Sequence, residues 1–349
     1  MNDVDLLARF VHHGLLSKEE ARGLVPELQG GAVLDDLLVE RLGWDPDVVA
    51  ARRRTGGDVP PEIPGYALER RLGTGGTADV WLARERKTHR ALALKVLKPE
   101  ATLHEPTRKA FIAEARLLEK LACPGLVKGF GIARSGNTFF SRLEHVDGST
   151  LLELLDGGKR FTEEEALSIV LSVAETLKDL EQHGVVHRDV KPGNVMCARD
   201  GRVILIDLGF AAGEGERAQA DGAVGTVAYL SPEQARGGAA ADSRSDIYSL
   251  GISLFHVVVG KLPFEGSDDR EVLRRQVMES LSSPELKGRG ISPHLHYFIE
   301  KMVAKEAGDR YQGWAELIAD VRQQLAGREG LDFSVPQTPH GPRGPRRGR

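Results

Sequence analysis

The sequence is poor in cysteine and in aromatic residues: two of its 349 residues are cysteines, and Phe, Trp and Tyr together make up 5% of the chain. Cys123 and Cys197 are too few for a disulfide framework or a four-ligand zinc site. Two such residues fit a reducing compartment, where both act as small core residues. A fold held together by disulfides or by structural zinc is therefore not expected.

Long apolar runs and an excess of basic charge are also missing. No apolar run approaches the roughly 18 residues of a membrane-spanning helix, and the opening MNDVDLLARF lacks the pattern of a signal peptide. The formal net charge is −4, so no overall basic field attracts the chain to nucleic acid. We therefore expect a soluble cytoplasmic protein with no membrane span and no nucleic-acid partner.

What the sequence does contain is enough apolar material for a sizeable core, with 41% hydrophobic residues. Residues 1–55 carry apolar side chains at helical spacing and a capping box at Ser17, and they predict a small helical module. Residues 56–65 are rich in Gly and Pro and are typical of a linker. The Pro-, Gly- and Arg-rich residues 327–349 predict a disordered tail.

Between the linker and the tail, a β-rich pattern gives way to a helical one. Residues 66–98 alternate as three strands would, and 106–122 form an amphipathic helical pattern. After residue 148 the predicted elements are mostly helices, at 162–183, 232–236, 243–260, 268–281, 291–304 and 314–326. This order favours two lobes, one β-rich and one α-helical, with a cleft between them.

The segment VVHRDVKPGNVMCARDGRVILIDLGF, residues 185–210, sets two carboxylates, a lysine and an amide between apolar runs. It is either a solvated turn with unrelated charges or a loop that holds a metal–phosphate complex. Asp189 is placed to accept a proton or to orient a hydroxyl, and Lys191 can neutralise a transferring phosphoryl group. Asn194 and Asp207 offer the hard oxygen ligands that suit Mg²⁺. Phosphoryl transfer requires mainly positioning and charge neutralisation, which favours the second interpretation.

A glycine-rich turn and a lysine in an apolar strand precede that segment. The string LGTGGTADVW, residues 72–81, contains glycines that let backbone N–H groups approach phosphate oxygens, although hairpin turns also use glycine. Lys95 lies within the strand 91–97, where a buried lysine requires a partner. Glu114 on the following helix is the candidate, and two exposed surface charges are the alternative for this pair.

Together these strings resemble the motifs of eukaryotic-type (Hanks-type) Ser/Thr protein kinases, and they are most similar to the bacterial members. In family order they are GTGGTADV, LALK, HRDVKPGN, DLG, SPE, SDIYSLG and DRY, spread over about 66–326. The resemblance implies an α+β, bilobal protein-kinase fold behind the small helical N-terminal module. The β-rich N-lobe would be 66–143, the hinge 144–148 and the α-helical C-lobe 149–326.

The resemblance further implies an ATP-dependent protein serine/threonine kinase that uses Mg²⁺, with Mn²⁺ as an alternative ion. Its catalytic set would be Asp189, Lys191, Lys95 and Glu114, and Asn194 and Asp207 would be its metal ligands. Arg310 would pair with Glu233. The nucleotide-binding set would be Leu72, Gly73, Thr74, Gly75, Gly76, Val80, Ala93, Lys95, Leu143, Glu144, Val146 and Met196.

Three departures from the family pattern are visible. Ala78 replaces the third loop glycine and Leu208 replaces the Phe of the metal-binding triplet, but no catalytic or metal-binding position is lost. The segment FAAGEGERAQADGAV, residues 210–224, contains no Ser, Thr or Tyr. Relatives with an arginine at the position of Arg188 are commonly activated by a phosphate in this segment.

Activation-loop phosphorylation is therefore not expected to control this chain, and two explanations stay open. Either carboxylates replace the phosphate, the candidates being Glu214, Glu216 and Asp221, or control lies in residues 1–55.

Two other functions compete with an active protein kinase, namely a kinase-fold scaffold and a small-molecule phosphotransferase. The intact Lys95, Asp189, Asn194 and Asp207 argue against the scaffold, and the docking segment GTVAYLSPE argues against a small-molecule substrate. The expected partners are protein substrates, together with a protein that binds residues 1–55.

Overall fold

The computed structural model describes residues 3–12, 15–54, 60–208, 227–237, 241–281 and 291–330. The segment without hydroxyl residues and Thr226 lie outside the described residues, as does the predicted disordered tail from residue 331 onward. Within the described part of the chain, no helix is both long and apolar enough to span a membrane.

The N-terminal residues form four short helices, as the helical spacing predicts. They are α1 (Asp3–His12), α2 (Lys18–Gln29), α3 (Leu34–Leu42) and α4 (Pro46–Arg54). Ser17 caps α2 in the predicted capping box, in which its side chain accepts from the Glu20 amide and Glu20 accepts from the Ser17 amide. The apolar faces bury a core of their own, built from Leu6, Leu7, Phe10, Leu16, Ala21, Leu24, Leu34, Leu37, Leu38 and Val49.

One arginine joins the first, third and fourth of these helices. Arg53 donates to Asp3 at 2.8 Å and to Asp35 at 2.7 Å. The second oxygen of Asp3 accepts from the amide of Leu34 at 2.8 Å, which satisfies an otherwise unpaired donor at the start of α3. These contacts span 18, 31 and 50 positions of the chain, so they hold α1, α3 and α4 together.

The β-rich lobe is a five-stranded antiparallel sheet in the order β1-β2-β3-β5-β4. The predicted strands and the predicted amphipathic helix are confirmed. The elements are β1 (Tyr66–Thr74), β2 (Ala78–Glu85), β3 (Ala91–Leu97), α5 (Pro99–Leu103), α6 (Glu105–Lys120), β4 (Gly129–Ser135) and β5 (Thr138–Glu144). Ile63 is buried in the core of this lobe beside Trp81 and Leu94, so part of the predicted linker belongs to the lobe's packing.

The second lobe is mostly helical, as predicted, and carries a small three-stranded sheet, β6-β7-β8. Its longest buried element is α10, whose apolar residues lie on all sides, so it forms the centre of the lobe's core. The elements are β6 (Gly148–Thr150), α7 (Leu151–Asp156), α8 (Glu163–Gln182), β7 (Val195–Ala198), β8 (Val203–Leu205), α9 (Pro232–Ala235), α10 (Ser243–Val259), α11 (Asp269–Met278), α12 (Pro293–Met302) and α13 (Trp314–Gly330).

The end of α13 corrects one predicted boundary. The helix runs through Gly330, so residues 327–330 are helical rather than part of a disordered tail. Arg328 and Glu329 are good helix formers, and they extend the helix past Gly327, which lowers helical propensity without breaking the helix.

Arg310 anchors α9 to the segment that precedes α13, and its pairing with Glu233 is confirmed. The guanidinium is completely buried and donates to both oxygens of Glu233 at 2.8 and 2.9 Å. It also donates to the backbone carbonyls of Ala304, Lys305 and Arg244. Burial alone would raise the pKa of Glu233, but Arg310 and the Ser245 hydroxyl bring that pKa down to about 2.

We predict that Glu233→Ala lowers the free energy of unfolding by about 3 kcal/mol at pH 7, because it leaves a buried guanidinium without its carboxylate. A carboxyl with a depressed folded-state pKa stabilises the protein above its unfolded pKa of about 4.3, and that contribution is lost as the pH falls toward 2. The difference between wild type and variant should therefore shrink between pH 4.5 and pH 2, as measured by urea unfolding.

The matched control is Glu175→Ala, which removes an exposed carboxylate paired with Arg322. Exposed pairs contribute less than about 1 kcal/mol, so this variant should be nearly as stable as wild type. Equal losses in the two variants would contradict the special role given to the buried pair.

Candidate active site

Lys95 lies between two carboxylates that come from distant parts of the chain. Its ammonium nitrogen is 2.8 Å from Glu114 Oε1 and 2.8 Å from Asp207 Oδ1. The lysine is on β3, the glutamate on α6 and the aspartate two residues after β8. One side chain therefore connects the sheet and the helix of the first lobe to the small sheet of the second. The predicted pairing of Lys95 with Glu114 is confirmed, and the alternative of two exposed surface charges is wrong.

Burial sets the electrostatics of this triad. The side chains of Lys95 and Glu114 are 12% and 3% exposed, and Glu114 Oε2 has no hydrogen-bond partner among the described residues. Burial raises the pKa of Glu114 although Lys95 opposes the shift. For Asp207, burial is also the largest single effect and raises the pKa, but the charge and the hydrogen bond of Lys95, together with smaller contributions from other neighbours, outweigh it and hold the pKa of that carboxyl below its usual value. The two carboxylates in turn raise the pKa of Lys95 despite its burial, so the lysine stays charged.

The loop before β7 is held in a strained conformation by a buried aspartate. Arg188 has a φ of +66°, in the left-handed region that residues other than glycine rarely adopt. Asp246 on α10 accepts from the amide of Arg188 at 2.6 Å and from the amide of His187 at 2.8 Å. Because Asp246 is itself buried, it fixes the backbone immediately before Asp189.

Asp189 is surrounded by donors from its own loop. Lys191 donates to it at 2.9 and 3.1 Å. The Asn194 amide nitrogen donates to the carboxylate at 2.9 Å and to the backbone carbonyl of Asp189 at 2.8 Å. These contacts place one carboxylate, one ammonium group and one amide within a single turn of the chain. The three residues predicted for this loop are therefore brought together.

The glycine-rich turn between β1 and β2 is closed by polar contacts. The Gly75 amide donates to the Ala78 carbonyl at 2.8 Å, and the Thr74 hydroxyl donates to Asp79 at 2.5 Å. Lys98 donates to the Gly75 carbonyl at 2.6 Å. A Cβ at Gly73 or Gly76 would meet no protein atom within 4 Å, so packing does not require glycine there. Glycine at these positions leaves the backbone accessible, and its role in binding a nucleotide stays a prediction.

Six apolar residues between this turn and the predicted hinge contact the main hydrophobic core. Ala93, Leu143 and Val146 are buried in the main core, and Leu72, Val80 and Met196 pack against it partly exposed. Ala93 pairs with Leu143 across β3 and β5. All six residues were predicted to contact a nucleotide, and the structure groups them in one cluster. Leu208 is fully buried in the same core, so this substitution keeps the apolar packing of the position.

The oxygen ligands available here fit magnesium. The described residues hold no group of three or more His, Cys, Asp or Glu suited to a metal ion. Mg²⁺ does not need such a group, because it is typically bound by one or two carboxylates together with substrate phosphates. Asp207 offers a carboxylate, and Asn194 offers its amide oxygen, since its amide nitrogen is engaged by Asp189.

Sequence reasoning missed two features of the site. Asp246 was recognised only as part of a buried helix, although an aspartate in an apolar helix signals a buried partner. Lys98 and Asp79 were not assigned any role, and no sequence signal distinguishes them from surface charges. Thr226 lies outside the described residues, and so do the carboxylates proposed to replace an activating phosphate, Glu214, Glu216 and Asp221.

Comparison with known proteins agrees with this geometry. The protein kinase domain family matches residues 66–321. The chain is 34% identical over 278 residues to serine/threonine-protein kinase PknB of Mycobacterium leprae, covering 77% of this chain and 44% of that protein. It is 32% identical over 274 residues to probable serine/threonine-protein kinase SCO3848 of Streptomyces coelicolor, covering 75% of this chain and 40% of that protein.

A third relative, probable serine/threonine-protein kinase CPE1738 of Clostridium perfringens, is 33% identical over 260 residues, covering 74% of this chain and 38% of that protein. The chain thus spans less than half the length of these curated relatives. The matched region includes every residue of the site described above. The chain belongs to the protein kinase family, in its bacterial Hanks-type Ser/Thr branch.

Proposed function

We propose that this chain is an active Ser/Thr protein kinase that transfers the γ-phosphoryl group of ATP to protein hydroxyls. The observation that carries the proposal is Lys95 held between Glu114 and Asp207 at 2.8 Å from each. Burying three charged groups costs free energy of desolvation, so such a cluster is a candidate for a functional role. In protein kinases the lysine–glutamate pair and the metal-binding aspartate must both be in place. The chain's relatives named as Ser/Thr kinases support the substrate class.

In this proposal, Asp189 accepts a hydrogen bond from the substrate hydroxyl and orients it toward the phosphorus. Lys191, within 3.1 Å of Asp189, stabilises charge on the phosphoryl group as it moves. Asn194 and Asp207 would hold Mg²⁺, whose charge would neutralise the phosphates of the nucleotide. Lys95 would then exchange its contact with Asp207 for a contact with the phosphates, while Glu114 keeps it in position.

The nucleotide base would bind at the hinge, between the apolar side chains of the two lobes. The amide of Glu144 already donates to the carbonyl of Lys128 at 2.8 Å, so the Glu144 carbonyl is the group left for the adenine edge. Val80, Ala93 and Met196 would contact the faces of the ring. The glycines of the turn would let backbone amides reach the phosphates.

A kinase-fold scaffold and a small-molecule phosphotransferase are less well supported. A scaffold has no use for the donors gathered on Asp189. A small-molecule enzyme has no use for the segment Val227–Tyr229, which buried groups hold in place: the Ser249 hydroxyl donates to the Tyr229 carbonyl at 2.8 Å, and the Gln276 amide donates to the Ala228 carbonyl. In protein kinases this is the position where a peptide substrate docks.

We also propose that the protein works in the cytoplasm and that residues 1–55 bind a partner. Cys123 and Cys197 are both free thiols, which fits a reducing compartment. The separate core of α1 to α4 makes this segment a folded unit in its own right, as a partner-binding module would be. The division into module, linker at 56–65 and kinase domain from residue 66 is part of the same proposal.

We predict that Asp189→Asn and Asp207→Ala each lower the rate of phosphoryl transfer by about 10²–10⁴-fold. The first change removes the group that orients the hydroxyl, and the second removes a metal ligand. The test incubates each variant with labelled ATP and Mg²⁺, and follows phosphate on the chain itself and on a generic protein substrate. Full activity of Asp207→Ala at saturating Mg²⁺ would show that the metal ligand has been misassigned.

Lys95→Met should abolish most activity, because the phosphate contact itself is lost. Glu114→Ala should lower the rate by up to about 10²-fold, because the lysine is no longer held in place. Glu105→Ala is the matched control, since Glu105 is an exposed acid on the same helix and pairs with Lys109 at the surface. Initial rates of the three variants decide the point, and a kinetically silent Glu114→Ala beside an inactive Lys95→Met would mean that another residue orients the lysine.

We predict that activation-loop phosphorylation does not control the enzyme, because no hydroxyl residue occurs from Phe210 to Gly225. Protein that is expressed under conditions in which no kinase is active, and is then treated with phosphatase, should phosphorylate a substrate without a lag. A lag that pre-incubation with ATP abolishes, with the phosphate mapped to Thr226, would contradict this prediction.

Two variants separate the two explanations for phosphate-independent activity. Deletion of residues 1–58 should change the rate only if the N-terminal module controls the lobes. The triple change of Glu214, Glu216 and Asp221 to Ala should change the rate only if carboxylates replace a phosphate near Arg188.

A further inference from the structure

Gln234 connects the substrate-docking segment to the catalytic loop. It lies on α9, directly after Glu233, and its side-chain amide is half-buried. Its oxygen accepts from the amide of Ser231 at 3.1 Å and from the Ser231 hydroxyl at 3.0 Å. Its nitrogen donates to the carbonyl of Arg188 at 3.1 Å. The two ends of one side chain therefore contact two different functional segments.

The partners determine which end of the amide is which. The backbone amide of Ser231 can only donate, so it must face the oxygen of Gln234. The carbonyl of Arg188 can only accept, so it must face the nitrogen. No other orientation satisfies both groups, and the assignment does not depend on distinguishing nitrogen from oxygen by their positions.

The carbonyl that Gln234 holds belongs to the strained residue of the loop. The amide of Arg188, with φ of +66°, is held by Asp246 at 2.6 Å. The carbonyl of the same residue is held by Gln234, so buried or half-buried side chains hold both polar groups of this residue. The next residue is Asp189. A strained backbone conformation persists only where its surroundings fix it, and a shift at Arg188 moves the carboxylate that follows.

We propose that Gln234 is a positioning residue for phosphoryl transfer, acting on Asp189 through the carbonyl of Arg188. This inference rests on the proposed kinase function. Gln234 also has a purely structural task, since it completes the capping box that begins α9 at Ser231. The two tasks use different atoms: the cap needs the oxygen, and the catalytic loop needs the nitrogen.

Two substitutions separate these tasks. Gln234→Glu keeps the cap, because glutamate is the usual residue at this position of a capping box, but it replaces the donor with an oxygen that repels the Arg188 carbonyl. Gln234→Met has a similar length and no charge, and it loses both the cap and the donor. Glu165→Gln is the matched control: it makes the reverse exchange in the capping box that Thr162 begins on α8, away from the catalytic loop.

The experiment measures single-turnover phosphate transfer from labelled ATP to myelin basic protein, together with the KM for ATP and the Tm of each variant. We expect both Gln234 variants to transfer phosphate roughly tenfold more slowly, the change that loss of one hydrogen bond supports. The KM for ATP should stay within about twofold, because the nucleotide site is unchanged. Only Gln234→Met should lose a few degrees of Tm, since only it loses the cap.

Three results would overturn the inference. The first is a wild-type rate in Gln234→Glu. The second is a wild-type rate in Gln234→Met beside a slow Gln234→Glu, because the loss would then come from the added charge. The third is a comparable rate loss in the Glu165→Gln control. An inactive wild type in the same assay would instead refute the proposed kinase function, so the two failures are distinguishable.

Discussion

The structure depends most on one buried ammonium group. Lys95 is the residue at which the sheet, α6 and the segment after β8 meet, and its charge is stable there only because carboxylates from both lobes are within 2.8 Å. Removing either carboxylate would leave Lys95 with a single charged partner, so that one of the two lobes would lose its contact with the ammonium group. The relative position of the lobes in this state is thus set by electrostatics as well as by packing.

Buried charges also organise the second lobe, but there their partners are mainly backbone amides and carbonyls. Asp246 accepts two consecutive backbone amides of the catalytic loop, and Arg310 donates to three carbonyls as well as to Glu233. Because every residue type carries these backbone groups, a buried charge that bonds to them fixes a segment whatever its side chains are. An apolar residue of similar size at either position would leave these backbone groups without their hydrogen-bond partner.

Much of the fold and of the site could be predicted from local strings. The alternation over 66–98 and the helical spacing after residue 148 were sufficient for the main elements, and the loop around Asp189 carries its chemistry within six residues. Apart from the Glu233–Arg310 pair, which the family resemblance implied, most contacts between distant residues were not visible in the sequence. The pairing of Lys95 with Asp207 spans 112 positions, and that of Asp246 with the catalytic loop spans 58. Short elements such as α5 were missed, because five residues contain too little periodicity to be recognised.

The way the catalytic loop is held bears on how such a chain works without an activating phosphate. In relatives, a phosphate on the activation segment orders the loop through the arginine before the catalytic aspartate. Here the backbone of that arginine is already fixed by Asp246 and Gln234, both of which belong to the folded core of the second lobe and its docking segment. The backbone before Asp189 is therefore held by residues outside the segment 210–225. A shift of α6 would move Glu114 relative to Lys95, which in turn contacts Asp207 in the second lobe. If residues 1–55 control the proposed kinase, they would therefore act on the position of α6, whereas carboxylates that replace a phosphate would act at Arg188.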